Sequence, residues 1–79
     1  MGKDMDYDKA DVKEKLRVLI PHLLEHNSEH IKDLKKWIDK ASSAGFEEIR
    51  AELEKTVNLS EEISRSFKRA IDLLDKYGN

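Results

Sequence analysis

Cysteine is absent from the 79-residue chain, which removes disulfides, thiolate zinc sites, iron–sulfur clusters and thiol nucleophiles from consideration. Proline occurs once, glycine three times, and aromatic residues make up 6%. The turn punctuation of an all-β domain is therefore missing, and helix is the class left. No sign of charge dominates: 15 Lys and Arg against 17 Asp and Glu leave −2, interleaved along the chain. Without a basic face, neither nucleic acid nor anionic lipid is an expected partner. No apolar run approaches the length that spans a bilayer. The opening MGKDMDYDK is acidic, lacks an apolar core and has Asp6 where a myristoylation signal needs Ser or Thr, so a cytoplasmic location is expected. There is no glycine-rich loop to cradle phosphate, and the Ser and Thr residues lack an acid–base partner at catalytic spacing. A single non-enzymatic helical domain over residues 1–79 is expected, with residues 1–7 frayed.

What the chain does have is helical periodicity. Leu23, Leu24, Ile31, Leu34, Trp37, Ile38 and Ala41 follow steps of three and four, and Leu16 and Ile20 extend that stripe backwards. Pro21 interrupts it. A proline inside a helix removes a hydrogen bond and clashes with the carbonyl four residues earlier, at a cost of about 3 kcal/mol, whereas at a first helical position it fits. The pattern thus predicts a short helix over about 9–19, N-capped by Asp8 or Asp11, and a long helix over about 21–44 that starts at Pro21. Gly45 ends the latter, and Glu47 and Glu48 favour the first turn of the next. Phe46, Ile49, Leu53, Thr56, Ser60, Ile63, Phe67, Ala70, Leu74 and Tyr77 then keep a seven-residue repeat, predicting a helix over about 46–77. Asn27-Ser28 and Asn58-Leu59-Ser60 could each be N-caps that divide these helices, but the unbroken heptad phase favours continuity.

The expected fold is an all-α long antiparallel helical hairpin with the short N-terminal helix across its open end. That gives either a three-helix bundle or, through dimerisation, a four-helix bundle. A core this small barely offsets the ordering entropy of its residues, so a homo-oligomer, a dimer first of all, is the expected partner, with another protein as a second option.

With the turn at Gly45, residues whose numbers sum to about 90 should face each other. Asn27 and His30 on one stripe and Thr56 and Ser60 on the other would then form a polar layer. Buried unpaired polar groups cost about 1–3 kcal/mol each, so that layer must be bonded, hydrated or occupied. All three histidines lie in this region, as His22, His26 and His30, one helical turn apart and flanked by Glu25 and Glu29. Imidazoles at i,i+4 chelate transition metals, Ni or Zn among them, and a carboxylate such as Glu29 or Glu61 could add a ligand. His26 with His30 is the better pair, and His22 lies outside the stripe. Ligation requires neutral imidazole, so binding should weaken below about pH 6.5. The plainer alternative is an interaction module in which the polar layer only sets register, as a buried Asn does in coiled coils. Trp37, Phe46 and Phe67 read as core.

The run Leu24-Glu25-His26-Asn27-x-Glu29-His30, with Trp37 and Gly45 after it and a Pro-His-x3-His-x3-His spacing, resembles a small helical domain of unassigned function from archaea and anaerobic bacteria. The resemblance spans about residues 16–77. It implies an intracellular, metal-linked role, because that domain is sometimes joined to small nickel-binding accessory proteins. It points at His22, His26 and His30 and names no reaction. The stretch is also similar to the helices of ferritin-like proteins. Those use Glu-x-x-His, whereas His-x-x-Glu occurs here twice and Glu-x-x-His not at all, which argues against a di-iron oxidase.

Overall fold

The computed structural model describes residues 8–77. They form two helices, α1 (Lys9–Ser43) and α2 (Glu47–Lys76), packed antiparallel as a hairpin. Asp8 caps α1, its carboxylate accepting from the Ala10 amide at 3.3 Å. At the other end Gly45 takes φ 86°, which glycine adopts without a Cβ penalty, and the Phe46 amide donates to Ala41 O at 2.9 Å. Glu47 and Glu48 follow in the first turn of α2, as expected from the positive helix end.

The largest departure from the sequence reading is at Pro21. The expected helices over 9–19 and 21–44 are one 35-residue helix with Pro21 inside it. No separate third helix covers the open end among the described residues, and the three-helix arrangement is thereby corrected. Pro21 is exposed, so water can bond the carbonyl it leaves unpaired, and the apolar stripe on either side favours one continuous helix over a break. The open end is tied instead by Arg17 to Asp75 at 3.3 Å and by Lys9 lying 5.5 Å from the Tyr77 ring centre. Helix continuity through Asn27-Ser28 and Asn58-Ser60 agrees with the heptad argument. The expected fraying of residues 1–7 falls outside the described residues.

The phase of α2 also differs. Leu53, Ser60, Phe67 and Leu74 face inward as expected, but their companions are Val57, Ser64 and Ile71, while Ile49, Thr56 and Ile63 are exposed. One residue is about 100° of helix, so half of the expected stripe is turned outward. The core is thin: only Ala41, at 9% exposure, and Val57, at 6%, are buried among the described residues. No helix is long and apolar enough to cross a membrane.

Pro21→Ala restores an amide donor and removes the ring clash in the middle of α1. The gain is partly offset by a freer unfolded chain, leaving an expected stabilisation of about 2 kcal/mol. Urea unfolding followed by helical circular dichroism measures it, and an unchanged midpoint would mean that the helix already absorbs the proline without cost.

Candidate metal centre and association face

The polar layer exists with different members. Asn27 is half-buried in the inner stripe of α1, and its Nδ2 donates to Ser60 O at 2.7 Å and to Ser64 Oγ at 2.8 Å. Ser60 contributes through its backbone. Thr56 is exposed, and its hydroxyl donates back to Glu52 O at 3.0 Å within its own helix. His30 is exposed rather than inward, as are His26 and His22. The histidines therefore do not line the helix–helix core, and the expected place of His30 in that layer, opposite Ser60, is corrected. The layer satisfies itself, since no buried side-chain nitrogen or oxygen among the described residues lacks a partner.

The direction in which the histidines face follows from the register. In each helix, the residue one step before an inner residue is turned about 100° away from the partner helix. Reversing the chain direction reverses the sense of rotation seen from one end, and the inward direction reverses too. These flanking residues consequently fall on the same broad face of an antiparallel hairpin. On α1 they are Lys15, Leu19, Leu23, His26, His30, Asp33, Trp37 and Lys40; on α2 they are Ile49, Glu52, Thr56, Leu59, Ile63, Ser66, Ala70 and Leu73. Residues one step after an inner residue form the opposite face, among them Glu25, Lys35, Glu54, Glu61 and Asp75. The ion pair between Lys35 and Glu61 at 3.7 Å joins two members of that second face across the hairpin, as this geometry requires.

The first face thus gathers most of the large exposed apolar side chains, with two imidazoles and the charged Lys15, Asp33, Lys40 and Glu52 among them, and the other is charged. Trp37 is 56% exposed, Leu59 62% and Ile63 47% on the first. Lys40 lies over the Trp37 ring at 4.8 Å, capping its outer edge. Close to the turn, Arg50 bonds Glu47 and Glu54, each at 2.8 Å. The Glu47 hydrogen bond first, then that to Glu54, holds the guanidinium above its ordinary pKa.

The candidate ligands separate along these lines. The His26 and His30 rings are stacked with centres 4.8 Å apart, while His22 and His26 are 6.4 Å apart and tilted by 47°. His22, Glu25, His26 and Glu29 border a shallow hollow on the outer side of α1. Glu61 is not brought to the histidines, because it sits on the charged face with Lys35. Among the described residues, no three His, Cys, Asp or Glu side chains converge on a point that could hold a metal ion. Ser64 is the polar-layer residue that the sequence reading missed. Its signal was the spacing Val57, Ser64, Ile71, a second seven-residue column next to the chosen one.

By architecture this is a two-helix antiparallel hairpin with one apolar and one charged broad face. The chain belongs to the family described as Domain of unknown function (DUF8180), which matches residues 16–74. No curated protein and no solved structure matches it.

Asn27→Ala removes both interhelical hydrogen bonds and leaves a small void. It is expected to destabilise the hairpin by about 1–2 kcal/mol, which lowers the melting midpoint by about 5–10 °C in a chain of this size. His22→Ala, on the outer side of α1, should leave the melt unchanged. A melt that Asn27→Ala does not move would remove the layer from its structural role.

Proposed function

We propose that the protein is a non-enzymatic assembly module in which two hairpins pack through their apolar broad faces into an antiparallel four-helix bundle. The observation that carries this reading is the division of the hairpin into an apolar face, with Leu23, Trp37, Ile49, Leu59, Ile63 and Leu73 exposed, and a charged face opposite. Soluble proteins rarely leave contiguous apolar surface of this extent open to water. The hairpin measures 56 × 26 × 14 Å between Cα extremes, and its broad face exceeds the roughly 800 Å² per partner that a standard interface buries.

A second copy is the occupant that the charge pattern favours. The ionised groups on the apolar face balance in sign, Lys15 and Lys40 against Asp33 and Glu52, and the net charge of −2 is small enough to leave little repulsion between copies. Pairing like faces also closes the assembly, because a two-fold interface uses the same patch on both partners and leaves no edge to propagate. The slab of 14 Å has little depth in which to enclose a substrate, which supports a role without catalysis.

Sedimentation equilibrium tests this directly. The expected mass at micromolar concentration is that of two chains, and Leu59→Lys with Ile63→Lys should return it to one while helical circular dichroism persists. Asn58→Lys, on the charged face, should leave the pair intact. A one-chain mass for the unaltered protein, or a pair that survives the two lysines, would overturn the proposal.

A further inference from the structure

We infer that the Trp37 and Lys40 side chains of each copy seat in a hollow near the start of α1 of the other copy, so that the two-fold axis of the pair crosses the hairpins at mid-length. The inference rests on the face-to-face reading above and adds the contact that orients it. It begins with a residue that the apolar face leaves unaccounted for. Val18 lies beyond the edge of that face, on the outer side of α1, yet at 74% it is the most exposed large apolar residue among those described. With Asp11, Glu14, Lys15, Leu19 and His22 it borders a shallow hollow with a mainly apolar lining. The hollow has a polarity: its carboxylates stand toward the helix start, and Val18 and Leu19 stand toward mid-helix.

The far end of the same helix carries a pair of matching character. Lys40 lies over the Trp37 ring at 4.8 Å, so ammonium and indole stand out together. The indole is on the mid-helix side and the ammonium on the side of the turn. Indole to apolar and ammonium to acidic are matched together only when one helix is reversed against the other.

An axis across the hairpin supplies that reversal. Residue 26 is the midpoint of Lys9–Ser43, and Trp37 stands as far beyond it as Lys15 stands before it. With the axis there, α1 packs on α1 and Trp37 comes opposite Lys15 of the second copy. A helical side chain leans toward the N-terminus of its helix, which carries the indole over Val18 and Leu19 of that copy. Lys40 comes opposite residue 12, within about 3 Å in height of both Asp11 and Glu14. Lys15, the like charge on that side, is held by Asp11 at 3.5 Å. On α2, the Asn27 bonds to Ser60 and Ser64 set Ile63 about level with residue 26, so Ile63 meets its own counterpart near the axis.

The other two-fold, along the hairpin, sets α1 on α2 at equal height. Trp37 would then meet Glu52 of the second copy, and the hollow would meet Ala70, whose methyl is too short to fill it. An indole taken from water into an apolar hollow is the kind of anchor that dominates an interface, while the lysine and its carboxylates fix direction. The two-fold repeats the whole contact at both ends of the pair.

Tryptophan occurs once, so its emission reports this contact alone. As the full chain is concentrated through the transition to a two-chain mass, the emission should move to shorter wavelength. Val18→Glu and Lys40→Glu should each weaken pairing by about 10-fold or more with the helical signal intact, and adding Glu14→Lys to Lys40→Glu should recover most of the loss. Lys36→Glu makes the same change in net charge on the outer side of α1 and should leave the pair as it is. Cysteine is absent, so Ser43→Cys gives a single site for a spin label. The two labels of a pair should stand about 50 Å apart, whereas an axis along the hairpin would bring them within about 30 Å. The shorter separation, or a pair that Val18→Glu leaves unchanged, would overturn the inference and leave the face-to-face reading standing. A chain that stays single at every concentration removes both.

Discussion

The bond pair from the Asn27 amide to Ser60 O and Ser64 Oγ decides how the rest of the molecule is presented. Two helices packed side by side can bury only two heptad columns each, and α2 offers three that are largely apolar. Val57, Ser64 and Ile71 form one, Leu53, Ser60, Phe67 and Leu74 the second, and Ile49, Thr56, Ile63 and Ala70 the third. Aliphatic contacts alone discriminate weakly among them, because dispersion and burial are non-directional. A primary amide is directional, and its hydrogen-bond needs inside the seam are met only when Ser64 faces it. With that register chosen, Ile49, Thr56 and Ile63 are turned outward together, and the apolar broad face is the consequence.

The same register explains which parts of the structure were legible in the residues. Helix class, the turn at Gly45 and the continuity through Asn27-Ser28 and Asn58-Ser60 follow from composition, the one helix-ending glycine and an unbroken seven-residue repeat, all of them local signals. Sites where tertiary context outweighs local preference were not legible. Pro21 reads as a helix start because its penalty is a local quantity, whereas the stripe from Leu16 to Ala41 gains from one straight rod along the whole of α2. The α2 phase read from spacing alone picked one correct column of two, since the columns led by Ile49 and by Val57 differ little in apolar content. The expected polar layer was placed at the right depth with the wrong members. Asn27 belongs to it, His30 and Thr56 do not, and the difference between them is the single helical step that separates an inner residue from a flanking one.

Moving the histidines from the core to a broad face changes what they can do. Inside a two-helix seam, His30 would have competed with Asn27 for the same serines and would have needed no ion. On the face, the 4.8 Å stack of His26 and His30 gathers no third ligand among the described residues, and Glu61 is held by Lys35 on the other side. The two functional expectations drawn from the residues, a metal ligand and an oligomerisation layer, were alternatives so long as both were assigned to one polar layer. The structure separates the residues of that expected layer in space. Asn27 sets register within a chain, and the imidazoles lie on the surface through which chains would meet.

Linkage makes that separation consequential. If two hairpins pair, the free energy of association adds to that of folding, so pairing stabilises each hairpin in step with its affinity. A hairpin with so little buried surface sits where such coupling has most effect, because a marginal fold responds to a few kcal/mol with a large change in population. The charged face would stay outward throughout, with the Lys35–Glu61 and Arg17–Asp75 pairs keeping it hydrated and out of the interface. Thinness, in this reading, is what leaves apolar side chains on a face for a second chain to cover.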